Sequence, residues 1–413
     1  MEDSLRYGLN GFTNNNSKFL HKVFRFQSEV FSYPAEYFEL LVRRNPWFKP
    51  EDIVPLFSAG KLVSCLQIFP KPVRIGNRSI MMGGVGNVAT LPRYRRRGYA
   101  TMALKRAIQL MRERGYGLSV LFTGMPDFYR RLKWEVASPH YEYSIATTEL
   151  CDEVPHVPDE FSPQTMRDED LPAVLRAYET TNRGRTLSVV RSLECWRRQL
   201  KYGGKDGSCF LVIKKHQNPL GYSRCIKSKK GLEVVEAGFL SDSTDARLAC
   251  EGLLAHMGRY ASGMGLGKIS ANVPPDHLLA RHLLAHGAVD RSRASGNLMA
   301  RIVDFRGLME SLLPELSNRV SNAGFSGRFS IQTEEDGISL EIKGGEARLT
   351  SSRGGVNMYR TSHRVLAQHM TGHLLPLEAF KEGLVQADPS IVKIVDLLFR
   401  SDVTPHMWKP DRF

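Results

Sequence analysis

The chain has 413 residues, too long for one ordinary hydrophobic core, and at roughly 100–200 residues per domain it predicts two to four domains. With 42% apolar and 24% charged residues, it is not a disordered, collagen-like or disulfide-scaffold chain. The formal net charge of +14 calls for an anionic partner. Residues 1–150 hold 22 basic and 12 acidic residues, so most of the surplus lies in the N-terminal third, and Arg93, Arg95, Arg96 and Arg97 fall within five positions. A cluster that local suits a compact polyanion better than a long duplex track, and no nucleic-acid motif accompanies it.

Six cysteines (Cys65, Cys151, Cys195, Cys209, Cys225 and Cys250) form no C-x-x-C pair and have no histidine beside them at ligand spacing, so neither a metal nor a disulfide framework is expected. The opening Met1-Glu2-Asp3-Ser4 has no apolar run behind it, and no stretch approaches the roughly 18 apolar residues of a membrane span. A cytoplasmic location is therefore expected.

Along the chain, residues 62–69 read as a strand stopped by Pro70, and 73–75 pair with 79–82 across Gly76-Asn77, a hairpin signal. A Gly-rich strand over 83–90 ends before Pro92. Helical spacing then places Met102, Leu104, Ala107, Ile108 and Met111 on one face over 101–114. A short buried strand (118–122) and a short helix (126–132) complete an α/β unit. The acidic, Pro-rich stretch 152–170, with Pro155, Pro158 and Pro163, marks a boundary. Behind it, 263–288 echo 112–137 at a domain-sized spacing, so a duplicated fold is expected. A third unit begins near Phe305, with a hairpin (329–333 and 338–342), further strands (347–350 and 356–359), helices (365–370, 377–384 and 390–399) and an extended tail over 404–413 whose Met407, Trp408 and Phe413 could dock.

The sharpest motif is Arg95-Arg96-Arg97-Gly98-Tyr99-Ala100, between the strand ending Val88-Ala89-Thr90 and the helix from Thr101. A turn there aims backbone N–H groups and the positive end of a helix dipole at one spot, ringed by guanidinium groups, and would cradle a pyrophosphate. Taken alone, six such residues fit a solvated Arg-rich helix start equally well. From Gly83 through Trp134, however, the sequence resembles the GCN5-related N-acetyltransferase superfamily, whose acetyl-coenzyme A turn has Arg or Gln, two residues, Gly, one residue, then Gly or Ala. Arg95, Gly98 and Ala100 fill that pattern.

Gly83 to Thr90, together with Tyr129 and Trp134, resembles the Eis (enhanced intracellular survival) group in particular. The resemblance implies an α+β protein of two tandem acetyltransferase-fold domains, the second degenerate, and a sterol-carrier-protein-like C-terminal domain, here 1–150, 151–303 and 304–413. It implies acetyl-CoA as co-substrate, bound by Val88, Ala89, Thr90, Arg95, Arg96, Arg97, Gly98, Tyr99, Ala100, Thr101, Gly124 and Met125. Homo-oligomers, hexamers among them, occur in the group. Lys133 departs from the pattern, standing where many relatives have Gly. In the middle domain, Ser241-Asp242-Ser243-Thr244-Asp245 occupies the place of the basic turn and would repel pyrophosphate, and Leu278 stands where Tyr129 would, which gives that domain a structural role.

The activity so implied is direct transfer of acetyl to a primary amine: an aminoglycoside, a polyamine or a lysine. Val88 would donate its N–H to the thioester oxygen, Tyr129 would protonate the leaving thiolate, and the α-carboxylate of Phe413 would take the proton of the amine. Phe24, Phe26, Phe31, Tyr33 and Trp47, with Glu29 or Glu36, are candidate pocket residues but read first as core. Cys65 has no base beside it, which argues against a covalent route. The alternative is a non-catalytic sensor that binds acetyl-CoA or lipid.

Overall fold

The computed structural model describes residues 16–153, 157–203, 208–229, 231–294, 296–350, 357–401 and 403–413, and Met1–Ser4, Pro155 and Val356 lie outside them. The architecture is α+β, built on three sheets. Strands β1 (Ile53–Ser58), β2 (Lys61–Ile75), β3 (Arg78–Thr90), β4 (Leu118–Phe122) and β5 (Glu135–Val136) form the first sheet with β13 (Leu298–Ile302), in the order β1-β2-β3-β4-β13-β5. The second contains β6 (Tyr143–Ala146), β7 (Phe161–Thr165), β8 (Ser208–Lys215), β9 (Asn218–Ser228), β10 (Gly231–Phe239), β11 (Lys268–Ala271) and β12 (Val289–Asp290), ordered β12-β6-β11-β10-β9-β8-β7.

The two sheets repeat one plan. Strands β3 and β4 run parallel across helix α3 (Tyr99–Glu113), and β10 and β11 run parallel across helix α8 (Thr244–Gly263). Helix α3 forms because Ala103, Leu104, Ala107, Leu110 and Met111 recur at helical spacing and bury one face. Each sheet also takes a strand from the other's stretch of chain: β13 pairs antiparallel with β4, and β6 pairs antiparallel with β11. The sheets thus exchange strands across the expected boundaries at 150 and 303.

The third sheet, β16-β15-β14-β17-β18, comprises β14 (Gly327–Gln332), β15 (Gly337–Lys343), β16 (Glu346–Thr350), β17 (Met358–Thr361) and β18 (Val385–Gln386). It is preceded by helix α10 (Phe305–Val320), a segment to which the sequence reading assigned no element. Pro314 lies inside that helix while Phe305, Leu308, Leu312 and Leu316 bury one face. Strand β17 does not extend the meander; it lies parallel to β14.

One strand differs from expectation in length. Pro70 does not stop β2, which continues through Pro72 to Ile75. The Pro70 carbonyl accepts from Asn45 Nδ2 and the Pro72 carbonyl from the Val190 N–H, both on the side away from β3, so the missing N–H groups break no ladder bond with β3.

The tail after helix α13 (Pro389–Phe399) crosses the second sheet. His406 and His277, the latter on the loop before helix α9 (Leu278–Ala285), flank the Trp408 ring at 4.7 and 5.6 Å, and Trp408 Nε1 donates to Asn182 Oδ1 at 2.8 Å. Burial lowers His277 to about 3 and puts His406 well below its ordinary value. Both imidazoles stay neutral in the fold, so below about pH 6.5 the unfolded chain binds more protons, and stability falls by roughly 1.4 kcal/mol per imidazole per further pH unit. Denaturant titrations between pH 7 and 5 should show that loss. His277→Gln, which cannot be charged, should flatten the slope; an unchanged slope would mean that another group sets it.

Candidate active site

Strands β3 and β4 stay paired only from Met82–Leu118 to Val85–Leu121, and the last turns of β3 then run on without β4. A bulge in the β2–β3 ladder sets Asn87 and Val88 opposite the single residue Leu66, with Asn87 at φ 53°. Ser64 Oγ donates to the Ala89 carbonyl at 2.8 Å and anchors the strand past the bulge. The edge of β3 around Val88, Ala89 and Thr90 therefore faces a gap between strands, where an extended ligand arm could pair with it.

Beyond Thr90 the chain enters the basic turn. Arg95 Nε donates to the Thr90 carbonyl at 3.2 Å, and Arg93 and Arg97 stack on Tyr94 at 5.2 and 5.7 Å. Arg95, Arg96 and Arg97 are exposed. Gly98, at φ 82°, is the N-cap of α3; no side chain caps the helix, and a Cβ on Gly98 would meet no atom within 4 Å. The first N–H groups of α3, at Tyr99, Ala100 and Thr101, are thus left uncapped behind the exposed run Arg95–Arg97, which fits a diphosphate. In α8 the same place is closed: Ser243 caps the helix by accepting from the Ala246 N–H, and Asp242 pairs with Arg281.

Tyr129 lies on helix α4 (Pro126–Arg130), buried edge-on to Trp134 at 6.3 Å and to Phe128 at 5.0 Å. Burial raises its phenol above the usual value, so it stays protonated at neutral pH. Leu278, its counterpart, is a buried core residue opening α9. Gly124 and the exposed Met125 form the loop before α4. Lys133 takes φ 67°, a backbone state that suits Gly, and its ammonium is held by Glu334 of the third unit. Burial pushes the Cys65 thiol up to about 12, so it is no nucleophile at neutral pH.

The tail brings Phe413 to the place where β3 and β4 part. Its ring stacks on Phe69 at 5.3 Å and meets Phe122 edge-on at 5.6 Å. The Gly-rich strand is explained here: a Cβ on Gly84 would overlap the Phe413 ring, and one on Gly83 would overlap Met111 of α3. Two residues upstream, the fully buried Asp411 accepts from Arg191 Nε at 2.9 Å, Arg191 Nη2 at 2.8 Å and Gln199 Nε2 at 2.9 Å. Arg191 also grips Glu236 of β10 and lies on the rings of Tyr178 and Trp196 at 4.2 and 4.5 Å. Arg191, Glu236 and Asp411 lie far apart in the chain and match no motif, so no signal in the sequence brings them together.

Of the candidate pocket residues, Phe24 and Phe26 are buried, while Tyr33 is largely exposed. A cavity of about 290 Å³ adjoins Phe413 and is lined instead by Tyr37 and Leu41 of helix α2 (Ala35–Arg44), by β9 and by the tail.

Residues 13–137 match the model of an acetyltransferase (GNAT) domain. No curated protein matches the chain. Among solved structures, it is similar to a GCN5-related N-acetyltransferase from Anabaena variabilis (TM-score 0.74, 17% identity, 96% of this chain and 98% of that one). It is also similar to a probable N-acyltransferase from Enterococcus faecalis (0.76, 17%, 96% and 98%) and to Eis1 from Mycobacterium abscessus (0.68, 17%, 99% and 100%). At such identity these likenesses establish the fold over nearly the whole length. With the domain match and the open α3 terminus, the chain is an acetyl-CoA-dependent acetyltransferase.

Gly84→Ala should force the terminal ring off β3. A displacement of the order of 1 Å near the reacting groups is expected to lower kcat by about 10²-fold while the KM for acetyl-CoA changes little, as steady-state kinetics would read.

Proposed function

We propose that the chain acetylates a primary amine by direct attack, using Tyr129 as acid and the α-carboxylate of Phe413 as base. The observation that carries this reading is the docking of Phe413 against Phe69 and Phe122 where β3 and β4 part. Val88, Ala89 and Thr90 would pair with the pantetheine arm. Arg95, Arg96, Arg97 and the N–H groups of Tyr99, Ala100 and Thr101 would hold the diphosphate, with Gly98 leaving room, and Gly124 and Met125 would border the arm. When bound, acetyl-CoA supplies the activated acyl group.

The Phe413 carboxylate removes one proton from the ammonium and releases it to solvent. The freed lone pair forms the new C–N bond while the Val88 N–H stabilises negative charge on the carbonyl oxygen. As the C–S bond breaks, Tyr129 gives its proton to sulfur, and the second proton shed by nitrogen restores the phenol. Burial raises the Tyr129 phenol and so keeps it protonated at neutral pH, the state an acid needs before it gives up its proton.

The Eis-like organisation is part of the proposal, supported by the likeness to Eis1 over 99% of the chain. The second unit is read as a scaffold for the tail, and the third, of sterol-carrier-like type, as the element that launches it. A cavity on the third unit is lined by polar residues, among them Ser330, Gln332, Thr333 and Glu335, and so offers little to an apolar ligand. Among the described residues no helix is long and apolar enough to cross a membrane. A cytoplasmic homo-oligomer completes the reading on the strength of the family resemblance.

Two variants test the chemistry. Tyr129→Phe should lower kcat by about 10²-fold or more with the fold intact by circular dichroism. Extending the chain by one residue after Phe413 displaces the carboxylate, and full activity in the extended protein would rule it out as base.

A further inference from the structure

Helices α8 and α9 of the second unit bring together a carboxylate and two imidazoles that acetyl transfer does not use. Glu251 lies on α8, His282 on α9 and His286 at the C-cap of α9. The His286 N–H donates to the His282 carbonyl at 3.1 Å, so one helical turn sets both rings on the same face. Glu251 reaches both: one carboxylate oxygen meets His282 Nδ1, and the other lies 2.7 Å from His286 Nε2. One donor atom from each residue lies within 4.8 Å of the others. No cysteine takes part.

The trio is not an ordinary surface ion pair. Its side chains are 11–17% exposed, mostly withdrawn from water yet open to an entering ion. Among the described residues Glu251 has no lysine or arginine in ion-pair range; its partners are the two imidazoles. Arg247, one turn before Glu251, and Arg281, beside His282, both pair with Asp242 instead, at 3.5 and 3.0 Å. Burial would raise the Glu251 carboxyl, but hydrogen bonds from the two imidazoles hold it below its ordinary value, so it is ionised at neutral pH. A second cluster, Glu335, Asp336 and His363, lacks these features. There Arg301 already holds Glu335 at 2.8 Å, and His363 Nε2 faces the Ile302 carbonyl at 3.0 Å.

We propose that Glu251, His282 and His286 form a binding site for a divalent transition metal of the Zn2+ type. Two imidazole nitrogens and a carboxylate oxygen are a donor set that such an ion favours, and three protein ligands leave a fourth position to water. The ion takes the place of the hydrogen bonds that join the three side chains. Mg2+ prefers a shell of oxygens and is selected against by the two nitrogens. Bound metal clamps α9 to α8. The N-cap of α9 is His277, whose ring flanks Trp408, so the clamp bears on the seat of the tail.

The test takes the full chain without an affinity tag, strips it with a chelator, and titrates it calorimetrically with Zn2+ and, separately, with Mg2+. One Zn2+ should bind per chain, at least about 100-fold more tightly than Mg2+, and an excess of about 100 Kd should raise Tm by about 3 °C. His282→Gln, His286→Gln and Glu251→Gln should each weaken Zn2+ binding by about 100-fold and abolish the rise in Tm. Glu251→Gln keeps a hydrogen-bonding group against the rings, so it reads the lost charge without losing the contact. Acetyl transfer by the metal-free variants should match that of the metal-free parent. Zn2+ binding that survives the three substitutions would place the ion elsewhere and overturn the assignment. Equal affinity for Mg2+, or no Zn2+ binding by the folded chain, would overturn it as well.

Discussion

Arg191 is buried with no exposed side-chain surface, and its charge is tolerable there only because Asp411 and Glu236 both reach it. Removing one member of such a group typically costs about 3–5 kcal/mol, since a buried charge is left unpaired. The bridge joins three distant parts of the chain: the segment before helix α7 (Leu193–Gly203), strand β10 and the tail. Asp411 lies two residues before Phe413, so the pairing that satisfies Arg191 also fixes Phe413 at the first sheet. The flanking of Trp408 by two neutral imidazoles and the Lys409–Glu233 pair extend the same track.

The two units that share this plan differ in the state of one helix terminus. In the first, Gly98 leaves α3 uncapped and the arginines leave its field positive. In the second, Ser243 satisfies α8 from within, and aspartates stand where anions would bind. The second sheet presents β10 as a bed for the tail, with Glu233 and Glu236 as its fasteners. The third unit supplies the helix from which the tail departs.

The strand Gly83–Gly84–Val85–Gly86 shows how closely the units are fitted. Its glycines do not serve the diphosphate. They thin β3 so that Met111 can pack on one face and the terminal ring on the other. The surplus of positive charge has an address in the turn at Arg95 to Arg97.

Local information was enough for the basic turn, the helix behind it, the hairpin at Gly76-Asn77, strand β4 and the three helices that follow β17, though not for α10, because each depends on turn chemistry or apolar periodicity within about twenty residues. The acidic run at the head of α8, Ser241 to Asp245, was legible too, since the sign of charge is written in composition. The exchange of β6 and β13 was not: a short apolar strand satisfies the open edge of either sheet equally well by its ladder bonds, and only packing selects the partner. The Arg191–Asp411 bridge also stayed hidden. Arg191 and Asp411 lie 220 positions apart, and the pairing of a buried charge depends on which groups the completed fold brings within hydrogen-bond reach.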